Sequence, residues 1–213
     1  EGIESRLNNS EHYRAEFQEI FGDHAITLEH VGEALETWQG TLRSRSAPFD
    51  RFLRGNRDAL SDQALLGLHL FRTRARCANC HMGPLLSDKK FHNIGLTYYG
   101  RKLEDLGRYN VTKKPADVGR FRTPSLRDIA ATGPYMHTGN FPHLRGILAM
   151  YNAGAPRPKP KEHQLTDPLF PQTSVLLKPL NLEKHELDAL ESFLLSLTSG
   201  TANRRVVGIE SKN

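Results

Sequence analysis

Cys77-Ala78-Asn79-Cys80-His81 decides how this chain is read. The five residues contain both cysteines of a 213-residue sequence, in the C-x-x-C-H spacing of c-type haem attachment. Two thiols three positions apart can each add to one vinyl group of a porphyrin. His81, next in line, then offers its imidazole to the iron from the proximal side, and that axial ligand helps set the potential. Other readings compete. A thioredoxin-like redox pair wants a βαβ context, which the sequence lacks. Zinc wants further cysteines or a paired histidine nearby. A chance match is open to any short motif, but this one uses every cysteine and follows an amphipathic helix. Two cysteines also exclude a disulfide-stapled scaffold and a four-cysteine zinc or iron–sulfur site.

Upstream of the motif, Ser61 is an N-cap candidate for a helix with Leu65, Leu68 and Phe71 on one face. Earlier, residues 4–22 are expected to form one helix ended by Gly22. Thr27 caps a second, along which Leu28, Val31, Leu35, Trp38 and Leu42 recur at three- and four-residue steps. That stripe is expected to face a partner, with Trp38 in the core. Downstream, residues 83–120 are rich in glycine and loops, with a short strand allowed over 91–96. A helix is expected from about Phe141 to Asn152. The prolines of residues 153–180 exclude long helices, and Asn181 should cap a final helix carrying Leu187, Leu190, Phe193, Leu194 and Leu197. The fold class is therefore all-α: amphipathic helices joined by irregular loops long enough to need a large prosthetic group to pack on.

Composition agrees. The chain is 38% hydrophobic and 25% charged, which argues against wholesale disorder. Its net charge of +5 is spread out, without an arginine-rich block or a nucleic-acid motif, so no nucleic-acid partner is expected. No apolar run is long enough to span a membrane. The sequence opens at Glu1 without an initiator Met or signal peptide, directly into helix-like residues. It is therefore expected to be a mature or excised piece. Haem c is attached outside the cytoplasm, so a bacterial periplasmic or surface location is expected.

Around the motif, further segments carry a resemblance. They are Pro48-Phe49-Asp50-Arg51-Phe52-Leu53, Cys77 to Gly83, Phe91-His92-Asn93-Ile94-Gly95, Asp105-Leu106-Gly107-Arg108-Tyr109, Phe121-Arg122-Thr123-Pro124-Ser125-Leu126-Arg127-Asp128 and Gly133-Pro134-Tyr135-Met136-His137-Thr138-Gly139. In this order they resemble the C-terminal half of the bacterial di-haem cytochrome c peroxidase/MauG superfamily. The resemblance implies that one haem, in an N-terminal half, reacts with hydrogen peroxide, and that a second haem, matching Cys77–His81, relays electrons. It implies a division into residues 1–60, a helical segment that belongs to or covers the absent N-terminal haem domain; residues 61–200, a cytochrome c-like haem domain; and residues 201–213, a polar tail. The peroxide-reacting site is expected in the missing half.

The same resemblance supplies candidate site residues. The distal ligand is expected on the helix after the His-x-Gly turn, at Tyr151 as in MauG-like members, with Met150 the alternative. Neighbours on a helix point about 100° apart, so both cannot face the iron. A further alternative makes Tyr151 a buried core aromatic with its hydroxyl hydrogen-bonded. A tyrosinate would stabilise ferric iron, whereas a methionine would raise the potential. Met82 is too close to His81 to reach the other face, and Met136 reads as packing in the haem pocket. Arg122 and Arg127 match arginines near the C-terminal haem, where the guanidinium fork suits propionates. Thr132 and Pro134 match positions whose carbonyls bind calcium between the haems. His92 and His137 read as hydrogen-bonding pocket residues.

Three functions follow. The first is the electron-input half of a periplasmic peroxidase that reduces hydrogen peroxide to water. Its partners would be an N-terminal haem domain and a small cytochrome c or cupredoxin donor, with a homodimer left open. The second is a MauG-like oxidase that uses peroxide on a partner protein. The third is a mono-haem electron-transfer cytochrome.

Overall fold

The computed structural model describes residues 2–22, 24–42 and 45–200. They fall into two compact units, one on either side of the boundary between residues 44 and 45.

Asn8 breaks the first unit into more helices than the periodicity suggests. Its side-chain amide donates to the Ile26 carbonyl at 2.8 Å and accepts from the Ile26 amide at 2.9 Å. Ser10 is then extended, so the expected single helix becomes α1 (Ile3–Asn8) and α2 (Glu11–Phe21). Gly22 ends α2 in the left-handed conformation, at φ 79°. Thr27 caps α3 (Leu28–Thr41) by accepting from the His30 amide at 3.2 Å. No residue of these three helices is buried. Trp38, expected in the core, is 52% exposed, and Leu28, Leu35 and Leu42 on the same stripe are about as open. The reason is size: three short helices do not enclose enough volume to bury an indole.

The second unit starts earlier than expected. Residues 45–60 are expected in the N-terminal segment, yet they pack within the unit that follows. In α4 (Pro48–Leu53), the Phe49 amide donates to the Ser196 carbonyl at 3.1 Å. The Phe49 ring meets Phe193 edge-on at 5.3 Å. Asp50 pairs with Arg127. Burial works against an ionised Asp50, but the Ala47 amide and Arg127 hold its carboxyl below the usual range.

The core is built on the crossing of α5 (Asp62–Arg72) and α8 (Lys184–Leu195). Ser61 caps α5 as anticipated, accepting from the Ala64 amide at 3.2 Å. Gly67 lets the two helices meet. A Cβ there would lie 2.6 Å from the Ala189 carbonyl carbon and 2.8 Å from Phe193 Cβ. Phe71 packs on Phe193 at 5.1 Å, and Ala189, Leu190 and Phe193 are all but closed to solvent. Asn181 does not cap α8. It adopts φ 52°, and Glu183 takes the role, its amide bonded to the Glu186 carboxylate at 3.0 Å.

Helix α7 (Leu144–Asn152) packs on α8 through Leu144 and Leu148. Asn152 ties its end to Leu182 through both side-chain atoms. Between α5 and α7 lie mostly loops, with the short α6 (Tyr109–Thr112) and two two-residue strands. Strand β1 (Phe91–His92) pairs antiparallel with β2 (Phe121–Arg122), placing His92 opposite Phe121. The proline-rich stretch 153–180 holds no α-helix, only a 3₁₀ turn at Glu162–Gln164. The expected polar tail, residues 201–213, lies outside the described residues.

Candidate haem-binding site

Arg76 takes a left-handed backbone at φ 56° after α5, and Cys77–Asn79 form a 3₁₀ turn. The His81 amide closes that turn on the Cys77 carbonyl at 2.8 Å. The turn presents Cys77, Cys80 and His81 together to one cavity of about 770 Å³, within the size range of cofactor and ligand pockets. Nearly every residue singled out in the sequence lines the same cavity: His92, Arg122, Arg127, Thr132, Pro134, Met136, His137 and Tyr151. Met150 does not. It sits on α7 beside Tyr151, whereas Ile147, one turn back from Tyr151, shares the cavity-facing side.

His81 is set up as a ligand. Its Nδ1 lies 2.9 Å from the Leu86 carbonyl. A carbonyl only accepts, so Nδ1 carries the proton and Nε2 keeps its lone pair. Burial holds the imidazole neutral by lowering its pKa, against the opposing pull of the Leu86 carbonyl and Asp88. Both thiols are held protonated. Burial pushes Cys77 up to about 12, and burial and Asp88 raise Cys80. Redox C-x-x-C pairs depend on a lowered thiol pKa, so the thioredoxin-like reading fails on chemistry as well as on fold.

Tyr151 is half-buried on the cavity wall, and desolvation first, then Cys77 and Cys80, raise the pKa of its phenol. Its hydroxyl has no hydrogen-bond partner among the described residues. The reading of Tyr151 as a hydrogen-bonded core aromatic therefore lacks its bond. His137 stacks on Phe121 at 3.7 Å, 12° from parallel, and burial lowers its pKa. His92 bonds to Asp88 at 2.8 Å. Met136 adopts φ 64° at the wall.

The charges on the wall are one-sided. Arg76, Arg122, Arg127 and Lys178 line the cavity, and among the described residues no aspartate or glutamate does. Arg127 is committed elsewhere, to Asp50 and, through Nε, to the Pro84 carbonyl at 2.9 Å. Arg122 has no ion-pair partner among the described residues. An apolar plate with two anionic tails fits such a wall, so the residues present suit haem c. Cys77 and Cys80 would tether it, and His81 would ligate its iron.

Sequence reasoning missed one wall of the cavity. Ser174, Leu176, Leu177, Lys178 and Leu180 line it, and Arg76 holds that loop by donating to the Lys178 and Pro179 carbonyls at 3.1 Å. Proline content marks 153–180 as non-helical but carries no information on where such a loop returns. Ile147 could have been found from its four-residue spacing to Tyr151.

Comparison with known proteins places the chain in a family. Residues 1–58 match the family model described as di-haem cytochrome c peroxidase. The chain is 34% identical over 225 residues to the cytochrome-c peroxidase IdrP1 of Denitromonas iodatirespirans, covering 92% of this chain and 57% of that protein. It is 39% identical over 157 residues to the methylamine utilization protein MauG of Methylophilus methylotrophus, covering 71% and 45%. A solved MauG-like protein associated with microbial copper homeostasis superposes with a TM-score of 0.73 at 27% identity, over 92% of this chain and 61% of the other. The chain belongs to the di-haem cytochrome c peroxidase and MauG family, and it matches the C-terminal region of these relatives. It spans about half the length of the curated relatives it matches.

Proposed function

We propose that this chain is the electron-relay half of a periplasmic di-haem cytochrome c peroxidase, which reduces hydrogen peroxide to water with electrons from a small cytochrome c or cupredoxin. The observation that carries the reading is the cavity that gathers Cys77, Cys80, His81 and Tyr151 behind Arg76, Arg122, Arg127 and Lys178, the charged wall residues among those described. Haem c supplies a one-electron couple when bound there. The protein's own part is to fix and tune that couple. The Leu86 carbonyl orients His81 through Nδ1. Arg122, Arg76 and Lys178 offer charge to propionates, while Arg127, tied to Asp50 and Pro84, stiffens the wall. A calcium ion on the Thr132 and Pro134 carbonyls is a finer part of the same reading. Among the described residues the wall provides no carboxylate, so its other ligands would come from elsewhere. The open apolar stripe of α3 supports the reading of residues 1–44 as a cover for the N-terminal haem domain.

A MauG-like oxidase of a partner protein is the second reading, favoured by Tyr151 rather than Met150 at the cavity wall. Family membership favours either over a mono-haem cytochrome. The test is steady-state reduction of peroxide by reduced cytochrome c. The haem-loaded 213-residue chain should be at least about tenfold slower than a form that also carries an N-terminal half with its own C-x-x-C-H. Comparable turnover by the chain alone overturns the relay assignment. Fast reaction of the longer form with peroxide, without turnover of reduced cytochrome c, favours the oxidase.

A further inference from the structure

The turn that follows His81 gathers a second set of ligating atoms. Cys80 Sγ, a carboxylate oxygen of Asp88 and a ring nitrogen of His92 all lie within 4.8 Å of one another, in partly buried positions. Each is held by backbone. The Asp88 amide donates to the Cys80 carbonyl at 2.7 Å, and the Lys90 amide takes Asp88 Oδ1 at 2.9 Å. That leaves Oδ2, which sits 2.8 Å from His92 Nε2. His92 is fixed by the β1–β2 pairing. Cys77 is outside the set. Its Sγ lies 3.5 Å from the Ala75 carbonyl.

One sulfur, one imidazole nitrogen and one carboxylate oxygen make a donor set for a borderline divalent cation, not for calcium or magnesium. Zinc bonds of roughly 2.0–2.3 Å at tetrahedral angles separate ligand atoms by about 3.3–3.6 Å. The Asp88–His92 pair must open slightly and Cys80, no more than 4.8 Å from either, close in by at most about 1.5 Å, within the reach of a side-chain torsion. Three protein ligands leave the fourth position to water.

We propose that in the haem-free chain Cys80, Asp88 and His92 bind one thiophilic divalent cation such as zinc, and that this cation and covalent haem exclude each other. Both need the same sulfur. On metal binding the Cys80 thiol releases its proton to solvent and the thiolate coordinates. A sulfur so bound cannot add to a vinyl group. In the thioether the sulfur is neutral and no longer a strong ligand. Zinc would thus hold the turn and mask one of the two attachment thiols until it is displaced.

The probe is cobalt(II), titrated into the haem-free full chain and followed by thiolate-to-cobalt charge-transfer absorption. The expected result is one cobalt per chain, displaced by zinc. Cys80→Ala, His92→Ala and the near-isosteric Asp88→Asn should each weaken binding by at least about tenfold, while Cys77→Ala should not. Far-UV circular dichroism shows whether each variant is folded. The haem-loaded chain should bind none. Absence of the band in the haem-free chain overturns the site. So does a loss in Cys77→Ala as large as in Cys80→Ala, which would mark a dithiolate site, or full binding in both His92→Ala and Asp88→Asn. Cobalt binding to the haem-loaded chain overturns the exclusion. The exclusion rests on the haem-attachment reading and the cobalt band does not: a chain that binds cobalt as described but never gains haem loses the former and keeps the latter.

Discussion

Tyr151→Phe should change the ferric absorption spectrum of the haem-loaded chain and raise its reduction potential by about 100 mV, within the span of roughly 0.8 V over which axial ligands tune haem. A phenolate is a hard anionic donor that favours ferric over ferrous iron, so removing it favours reduction. Tyr151 lies at the cavity wall with Ile147 on the same side of α7, and its hydroxyl meets no partner among the described residues. Met150→Leu is the control. Met150 does not line the cavity, so spectrum and potential should stay as they are. Redox titration of both variants decides the matter. A shift in Met150→Leu without one in Tyr151→Phe transfers the ligand to Met150.

Gly67→Val should lower the melting temperature by roughly 6–12 °C, the equivalent of about 3 kcal/mol in a chain of this size. The α5–α8 crossing leaves no room for a side chain at this position, because the nearest atoms belong to the Ala189 backbone and the Cβ of Phe193. Neither can swing aside without moving the helix that carries Leu190 and Phe193, the centre of the core. Gly40→Ala on α3 makes the comparison, since nothing lies within 4 Å of a Cβ there. It should leave the melting temperature unchanged or slightly raised, as alanine favours helix. Thermal unfolding followed by circular dichroism measures both. An unshifted Gly67→Val would mean that the crossing is looser than its backbone contacts imply.

Gly67 shows where sequence reading stops. The apolar faces of α5 and α8 were legible from period alone, but which residue of α5 lies under α8 is a property of two helices at once. Trp38 failed for a related reason. A stripe predicts that a helix will bury a face, not that its partner is present, and residues 1–44 are too few to form a core of their own. Phe49 shows the reverse: a six-residue helix assigned to one segment joins the next because an aromatic ring fits against Phe193. The fold class was legible, and so was the clustering of candidate site residues. Cys77, Cys80 and His81 announce a cofactor by spacing, and the residues matched to family segments converge on the cavity those three open into. The loop at 174–180 stayed hidden because irregular backbone held by Arg76 leaves no periodic trace. Asp88 stayed hidden because its relation to His92 and Cys80 depends on how one turn closes.

On this reading Cys77 and Cys80 tether one haem in this cavity. The direct test is the intact mass of the chain purified from a host with haem-attachment machinery, before and after extraction with acidified acetone. Thioether attachment at Cys77 and Cys80 should give a mass increment of one haem per chain that survives extraction and vanishes when both cysteines are replaced by serine. A folded chain from that host at its haem-free mass, or one whose haem is extracted while both cysteines are intact, would contradict it.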